Sequence, residues 1–402
     1  MLRNGIIAAL TLVLAVLAGS DALGRAAGWR LPALAEAMPL ANGFDHSNMA
    51  DVVLAPGLQT DVTAPLKLTG AAKQRVESLS KAGYAAEPLN SEALRNMALI
   101  AQSRGEAVRA RALMQAAGQL TKRDLAVNLW LANDYARADK VDDALAMYDQ
   151  ALRTSSQAQS LILPSVIQAL RGDTLVDPVI RLLSRRPPWL DEFWATAPRF
   201  PDSLGNLGRI RMALAQRGIG IAPNLDRELV EALAATGHFD TASALVHRLA
   251  PGARGAEAVT DPGFDHPIGF APFDWAPLFD ESLTTDLDQR AGTLRISTIG
   301  EGSGEAAHQL VDLPVPAYRL SVRVADWDDA KRGRIFLRLR CAQAANPAES
   351  AQIPVESPQF AVRVAKPSPG CRYNWLSIYA AVPSDHADSA VTLDRVSLVP
   401  AP

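Results

Sequence analysis

The chain has 402 residues, enough for two or three domains with cores of their own. Apolar residues make up 48% and charged residues 21%, with 40 basic against 43 acidic side chains for a net charge of −3. That balance excludes a wholly disordered chain and a polytopic membrane protein, and it lacks the basic surplus of a nucleic-acid binder.

Residues 1–27 read as a signal peptide or an N-terminal membrane anchor, because Arg3 precedes an uncharged run from Ile6 to Ala18. The run is shorter than the ~20 residues a full span needs, and a cleavage site after Ser20 lacks the strong Ala-x-Ala form. Either outcome places the remainder outside the cytoplasmic membrane, so a periplasmic protein is expected, anchored in the inner membrane or secreted if cleaved. Residues 28–70 are interrupted by Pro32, Pro39, Pro56 and Pro65 and read as a linker, with a short helix over Ala33–Met38.

Residues 71–255 read as a helical repeat domain. Met97 and Leu131, Ala98 and Ala132, Ala101 and Tyr135, Ala110 and Ala144, Met114 and Tyr148, and Ala117 and Ala151 are each thirty-four residues apart. Within each window two apolar stripes are broken near Gly105 or Asp139, which describes a helix, a tight turn and a second helix. Small side chains at the crossing let the helices approach, while Leu131, Tyr135, Met147 and Tyr148 fill the gap. This period and its alanine–aromatic pattern resemble tetratricopeptide repeats (TPR). Pro88 fits the terminal proline of a degenerate preceding unit that includes Ala71–Tyr84, whereas Lys122 and Ser156 depart from it. Later helices at Leu161–Leu170, Asp177–Leu183 (capped by Asp177), Asn206–Arg217 and Leu225–Ala250 (with a turn at Gly237) are looser. The resemblance implies an α-solenoid whose face holds a protein or peptide partner, with Ala98, Ala110, Ala117, Ala132, Tyr135, Ala144, Tyr148 and Ala151 as packing positions. A plain spacer or dimer surface is the alternative.

Residues 256–402 change to a period of two. Apolar alternation at Leu294–Ile296, Tyr318–Val324, Ile335–Cys341, Phe360–Val364, Leu376–Val382 and Val391–Leu398, with His308–Val315, gives at least seven strands and a β-sandwich, or jelly roll. A parity change after Leu393 predicts a bulge near Asp394-Arg395. Cys341 and Cys371 are expected to form a disulfide, the only internal one that two cysteines permit. The phrase Asp261-Pro-Gly-Phe264-Asp, followed by Gly269 and Trp275, resembles the first strand of carbohydrate-binding jelly rolls, with Asp261 and Asp265 replacing the usual Asn and Glu. The whole arrangement is similar to membrane-anchored TPR proteins of bacterial exopolysaccharide assembly clusters.

Two sets of outward-parity residues are glycan-binding candidates. Trp375 and Tyr379, two pleats apart, could stack on pyranose rings. Arg319, Arg323, Arg338 and Arg340, with Arg334 and Arg363, could meet carboxylates or phosphates of an acidic polymer, or simply keep a sheet soluble. The six histidines form no zinc-protease pair, no phosphate loop is present, and Ser303 misses the nucleophile-elbow spacing. Asp274, Asp326, Asp328 and Asp329 remain candidates for a glycosidase pair. The expected protein is a TPR-like α-solenoid followed by a β-sandwich, without catalytic residues, metal or cofactor. It would act as a non-enzymatic scaffold in envelope or exopolysaccharide assembly, with a protein partner, a possible polysaccharide and no nucleic acid. The alternative is a carbohydrate-active hydrolase with acids at the sandwich rim.

Overall fold

The computed structural model describes residues 30–37, 41–58, 66–251, 257–279, 283–299, 303–327, 334–343, 350–381 and 388–401. The leader reading of 1–27 lies outside the described residues, as do Pro39, Pro65, Asp328, Asp329, Val382 and His386. Among those described, thirteen α-helices precede ten β-strands, so the fold is α followed by a β-sandwich. The chain divides into two compact units. One runs to Ser165 and includes Pro187–Trp189; the other comprises Val166–Arg186 and the chain from Leu190.

The first unit holds α1 (Pro32–Glu36), α2 (Gly43–Leu54), α3 (Gly70–Ala86), α4 (Ser91–Ser103), α5 (Ala107–Leu120), α6 (Leu125–Arg137), α7 (Val141–Thr154) and the start of α8 (Ser156–Ala169). Helix ends recur at the thirty-four-residue spacing. The side chain of Asn90 accepts from Ala93 N–H at 3.1 Å, and Asp124 accepts from Val127 N–H at 3.1 Å, capping α4 and α6. Gly105 (φ 81°) and Asp139 (φ 57°) close the same helices in the left-handed region. The following N–H groups reach back, Glu106 to Ala101 O at 3.0 Å and Lys140 to Tyr135 O at 2.9 Å. Between the paired helices Ala98, Ala110, Ala117, Ala132 and Ala151 are fully buried, and Ala144 nearly so. Tyr135 and Tyr148 are half-buried at the margin. Leu94, Met114, Val127, Trp130 and Leu131 fill the core between α4, α5 and α6.

The stretch read as a linker contains a packed helix. A capping box between Asn42 and Asp45 starts α2. This helix lies so close to α3 that a Cβ on Gly43 would come 2.5 Å from Gly83 O. Asn90 Nδ2 donates to Gly43 O and to Ser47 Oγ, both at 2.9 Å. Arg95 joins Asp51 of α2, at 2.6 Å, to the α6 cap Asp124, at 2.8 Å. The buried face of α2 includes Gly43, Ser47 and Ala50 rather than an apolar stripe, which is why periodicity did not reveal it.

The second unit begins with the end of α8 and adds α9 (Val176–Leu183), α10 (Leu190–Thr196), α11 (Leu204–Gln216), α12 (Pro223–Ala235) and α13 (Phe239–Leu249). Asp177 does not cap α9. A 3₁₀ turn at Asp173–Leu175 leads into Val176, which leaves Asp177 in the first helical turn. Gly218 (φ 72°) and Gly237 (φ 81°) end α11 and α12 in the same left-handed way as Gly105. A buried ion pair joins these two helices: Arg211 Nε and Nη2 donate to the Asp226 carboxylate at 2.6 and 2.8 Å.

The sandwich has two antiparallel five-stranded sheets. The first is ordered β1 (Ala276–Pro277), β4 (Ser303–Asp312), β9 (Tyr373–Ala381), β6 (Ile335–Cys341), β7 (Ser350–Pro354). The second is ordered β2 (Leu283–Asp288), β3 (Thr293–Ile299), β10 (Asp388–Pro400), β5 (Ala317–Val324), β8 (Gln359–Ala365). Inward residues including Leu294, Ile296, Leu320, Val322, Leu337, Leu339, Leu376, Ile378, Leu393 and Val396 form one core. The register of β10 against β5 shifts between Leu393 and Arg395, where the parity change predicted a bulge. Cys341 and Cys371 are joined, with Cα atoms 5.8 Å apart. The strands not foreseen are the two-residue β1 and the strands β2 and β7, which are rich in Thr, Asp, Ser and Gln and carry little apolar alternation.

The Asp261–Trp275 phrase is a capped loop, not a strand. Asp261 and Phe264 adopt positive φ (51° and 59°), Phe264 and Trp275 are buried against each other at 5.5 Å, and Trp275 Nε1 donates to Asp261 O at 3.1 Å. Its acidic and aromatic residues therefore fix a loop leading into the short strand β1.

Candidate binding face

The outward surface of the first sheet collects most of the aromatic and basic candidates. Strand register arranges it in rows. Tyr379 on β9 stands between Glu305 on β4 and Phe336 on β6. Ser377 stands between His308 and Arg338, and Trp375 lies opposite Arg340. Directly opposed side chains in an antiparallel pair have Cβ atoms ~5 Å apart, so each row is a contact row. Phe336, Arg338, Arg340, Trp375 and Tyr379 are all half-buried.

Tyr379 is not an open stacking platform. Its ring lies parallel to that of Phe336, with centroids 5.1 Å apart and planes at 7°. The Arg338 guanidinium sits over the same ring at 4.4 Å. Its hydroxyl donates to Glu305 Oε2 at 3.1 Å and accepts from Arg338 Nη1 at 3.3 Å. Arg338 and Tyr379 are thus tied to each other, while Arg338 Nε is buried without a hydrogen-bond partner among the described residues.

Glu305 gathers the other polar groups. His308 Nδ1 lies 3.1 Å from Glu305 Oε1, and Ser377 also hydrogen-bonds this carboxylate. Burial alone would raise the Glu305 pKa, but the hydrogen bonds from His308, Ser377 and Tyr379 hold it below the ordinary carboxylate value. Burial, helped by the Glu305 charge, pushes the Tyr379 hydroxyl up. Sequence reading missed Glu305 and His308 for a definite reason. They are three apart, which simple alternation puts on opposite faces, but the register slips between Glu305 and Ala307 and turns both outward.

Trp375 and Arg340 are placed differently. The His308 ring meets Trp375 edge-on, at 5.0 Å and 70°. Among the described residues the Trp375 indole N–H has no hydrogen-bond partner, and Arg340 makes neither a hydrogen bond nor an ion pair. At the end of the row sequence, Tyr373 is covered by α13. Its ring lies 5.6 Å from Phe239, its hydroxyl donates to Asp240 at 2.9 Å, and burial raises its pKa to about 12.

Arg334 stands half-buried at the entry to β6, its O accepting from Ala381 N–H at 2.8 Å, and the other arginine candidates lie elsewhere. Arg319 and Arg323 project from β5 on the outer surface of the second sheet, and Arg363 projects there from β8. Arg323 pairs with Asp394 at 2.6 Å, while Arg319 stands opposite Arg363. The candidate acids Asp274 and Asp326 hold backbone. Asp274 accepts from the N–H groups of Gly269 and Phe270 at 2.7 and 2.6 Å, and Asp326 accepts from Thr392 N–H at 2.8 Å.

One group among the described residues could offer ligands to a cation: Asp261, Asp265 and His266, whose ligand atoms lie within 4.8 Å of one another. His266 Nδ1 already lies 2.8 Å from Asp265 and 3.2 Å from Asp261, and the Asp261 carboxylate accepts from the N–H groups of Asp265 and His266. No helix among the described residues is long and apolar enough to cross a membrane.

No protein-family model matches the chain. No curated protein matches it either. Among solved structures the chain is similar to the carbohydrate-binding module TmCBM61, determined in complex with β-1,4-galactotriose. The alignment has 14% identity and a TM-score of 0.25, covering 36% of this chain and 99% of that one.

Proposed function

We propose that this protein is a non-enzymatic, extracytoplasmic scaffold of envelope or exopolysaccharide assembly that holds glycan on the outer face of its first sheet. In this reading its TPR-like helix pairs hold a protein partner. The observation that carries the glycan reading is the half-buried Trp375, which lies beside the guanidinium of Arg340, the indole N–H and the guanidinium both being uncommitted among the described residues. An indole offers an apolar plane for the C–H face of a sugar, and adjacent donors orient its hydroxyl groups. The disulfide supports an oxidising compartment, with the Ile6–Ala18 run as export signal or anchor. The repeated caps at Asn90 and Asp124 and the repeated turns at Gly105 and Asp139 support the TPR-like reading.

Co-sedimentation with insoluble polysaccharides tests the glycan reading. Trp375→Ala is expected to weaken retention about tenfold or more, as for a central aromatic anchor, with an unchanged melting midpoint. Equal retention by the folded variant would sink it. A hydrolase is the second reading, favoured by the half-buried Glu305 on the same face as Trp375. Release of reducing ends from a retained polysaccharide, lost in Glu305→Gln, would establish that reading instead.

A further inference from the structure

We infer that the glycan taken by this face is acidic, a uronate-bearing chain whose sugar ring lies on Trp375 and whose carboxylate is held by Arg340. The inference rests on the reading of this face as a glycan site and specifies the ligand class. Four of the described arginines of the sandwich have side-chain partners on the protein. Arg338 is bound to Tyr379, Arg323 to Asp394, Arg372 to Asp312 and Arg395 to Glu257. Arg290, Arg295, Arg319 and Arg363 have none among the described residues, but all four are exposed to solvent. Arg334 and Arg340 are both half-buried without a side-chain partner among the described residues, and of the two it is Arg340 that lies directly opposite an aromatic ring.

A partly desolvated guanidinium without a partner is unfavourable, and an anion arriving beside it relieves that cost. The nearby acid does not supply it, because Glu305 takes its hydrogen bonds from His308, Ser377 and Tyr379. The guanidinium fork matches the two oxygens of a carboxylate, and the carboxylate of a uronate is attached to the ring that would stack on Trp375. A neutral sugar would satisfy Trp375 but leave the half-buried Arg340 without a partner among the described residues, so the pair discriminates by charge as well as shape.

Affinity electrophoresis of the full chain tests this with polygalacturonate, alginate, methyl-esterified polygalacturonate, β-1,4-galactan and dextran sulfate in the gel. Retention by one or both polyuronates is expected, with about tenfold or greater weakening on the esterified polymer. Arg340→Ala and Arg340→Gln should each weaken polyuronate retention about tenfold, Arg340→Lys less, and Trp375→Ala should abolish it. Thermal melts identify any variant that is misfolded, and two neutralising variants keep the arginine arm readable. Retention of galactan or the esterified polymer at full strength, lost with Trp375→Ala but not with Arg340→Ala, overturns the acidic inference and leaves the glycan site standing. Dextran sulfate retained as well as the polyuronates and insensitive to Trp375→Ala means charge alone, and overturns it too. Retention of none of the five polymers overturns both readings.

Discussion

The helix pairs of the first unit and the sandwich of the second use opposite means of specifying contact. In the pairs α4–α5 and α6–α7 each turn, cap and crossing is set by residues close in sequence and is then repeated thirty-four residues later. In the sandwich, neighbours come from far apart: Ala317 pairs with Ala365, Val324 with Leu393, and Glu305 with Tyr379. A local rule repeats and shows in a sequence. A distant pairing confers a role on a residue that its own neighbours do not announce, and the candidate face is made wholly of such pairings.

The largest expected effect tests whether short sequence separation means small consequence. Arg211 and Asp226 are only fifteen residues apart, yet both are buried. Asp226→Ala should destabilise the second unit by about 3–5 kcal/mol in urea unfolding, because it leaves a buried guanidinium unpaired. Replacing both with apolar residues of similar volume should recover most of that loss.

Breaking the long-range side of the comparison comes next. Cys341→Ser with Cys371→Ser opens a loop of sequence separation 30 and should lower sandwich stability by ~3–4 kcal/mol, read as a lower melting midpoint that reductant no longer shifts. Ala110→Trp attacks the local side. It should overpack the α4–α5 crossing and cost ~1–3 kcal/mol, and an unaltered midpoint would mean that this crossing has room to spare.

Smaller effects sharpen the same contrast. Asp139 holds at φ 57° the place that Gly105 fills in the preceding pair, so Asp139→Gly should stabilise the first unit by about 1 kcal/mol. Glu305 offers a titration. Its folded pKa lies below its unfolded value, so its contribution is complete above the ordinary carboxylate range and is lost as pH falls through the folded value. Glu305→Gln should therefore flatten part of the acid-side decline in melting midpoint, and an undiminished decline in the folded variant would contradict this.

Much of this was legible. Alanines thirty-four apart, a break at Gly105, Asp139 or Gly237, and alternation such as Ile335–Cys341 report local geometry, and local geometry is written in neighbouring residues. The reading lost α2 because its buried face is small and polar, and lost β2 and β7 because their alternation is polar.

By itself the sequence determined the order of α then β, the helix-pair crossings, the strand parities and the partnership of Cys341 with Cys371. Tertiary structure alone decided which outward side chains meet. It sent Arg319 and Arg323 to one sheet and Arg338 and Arg340 to the other, and engaged Tyr379 with Phe336 and Arg338. A register slip brought Glu305 and His308 onto the same face. Parity fixes only the side of a sheet on which a residue stands. Sheet membership and register depend on backbone pairing between strands far apart in the chain, and only the assembled core settles those pairings.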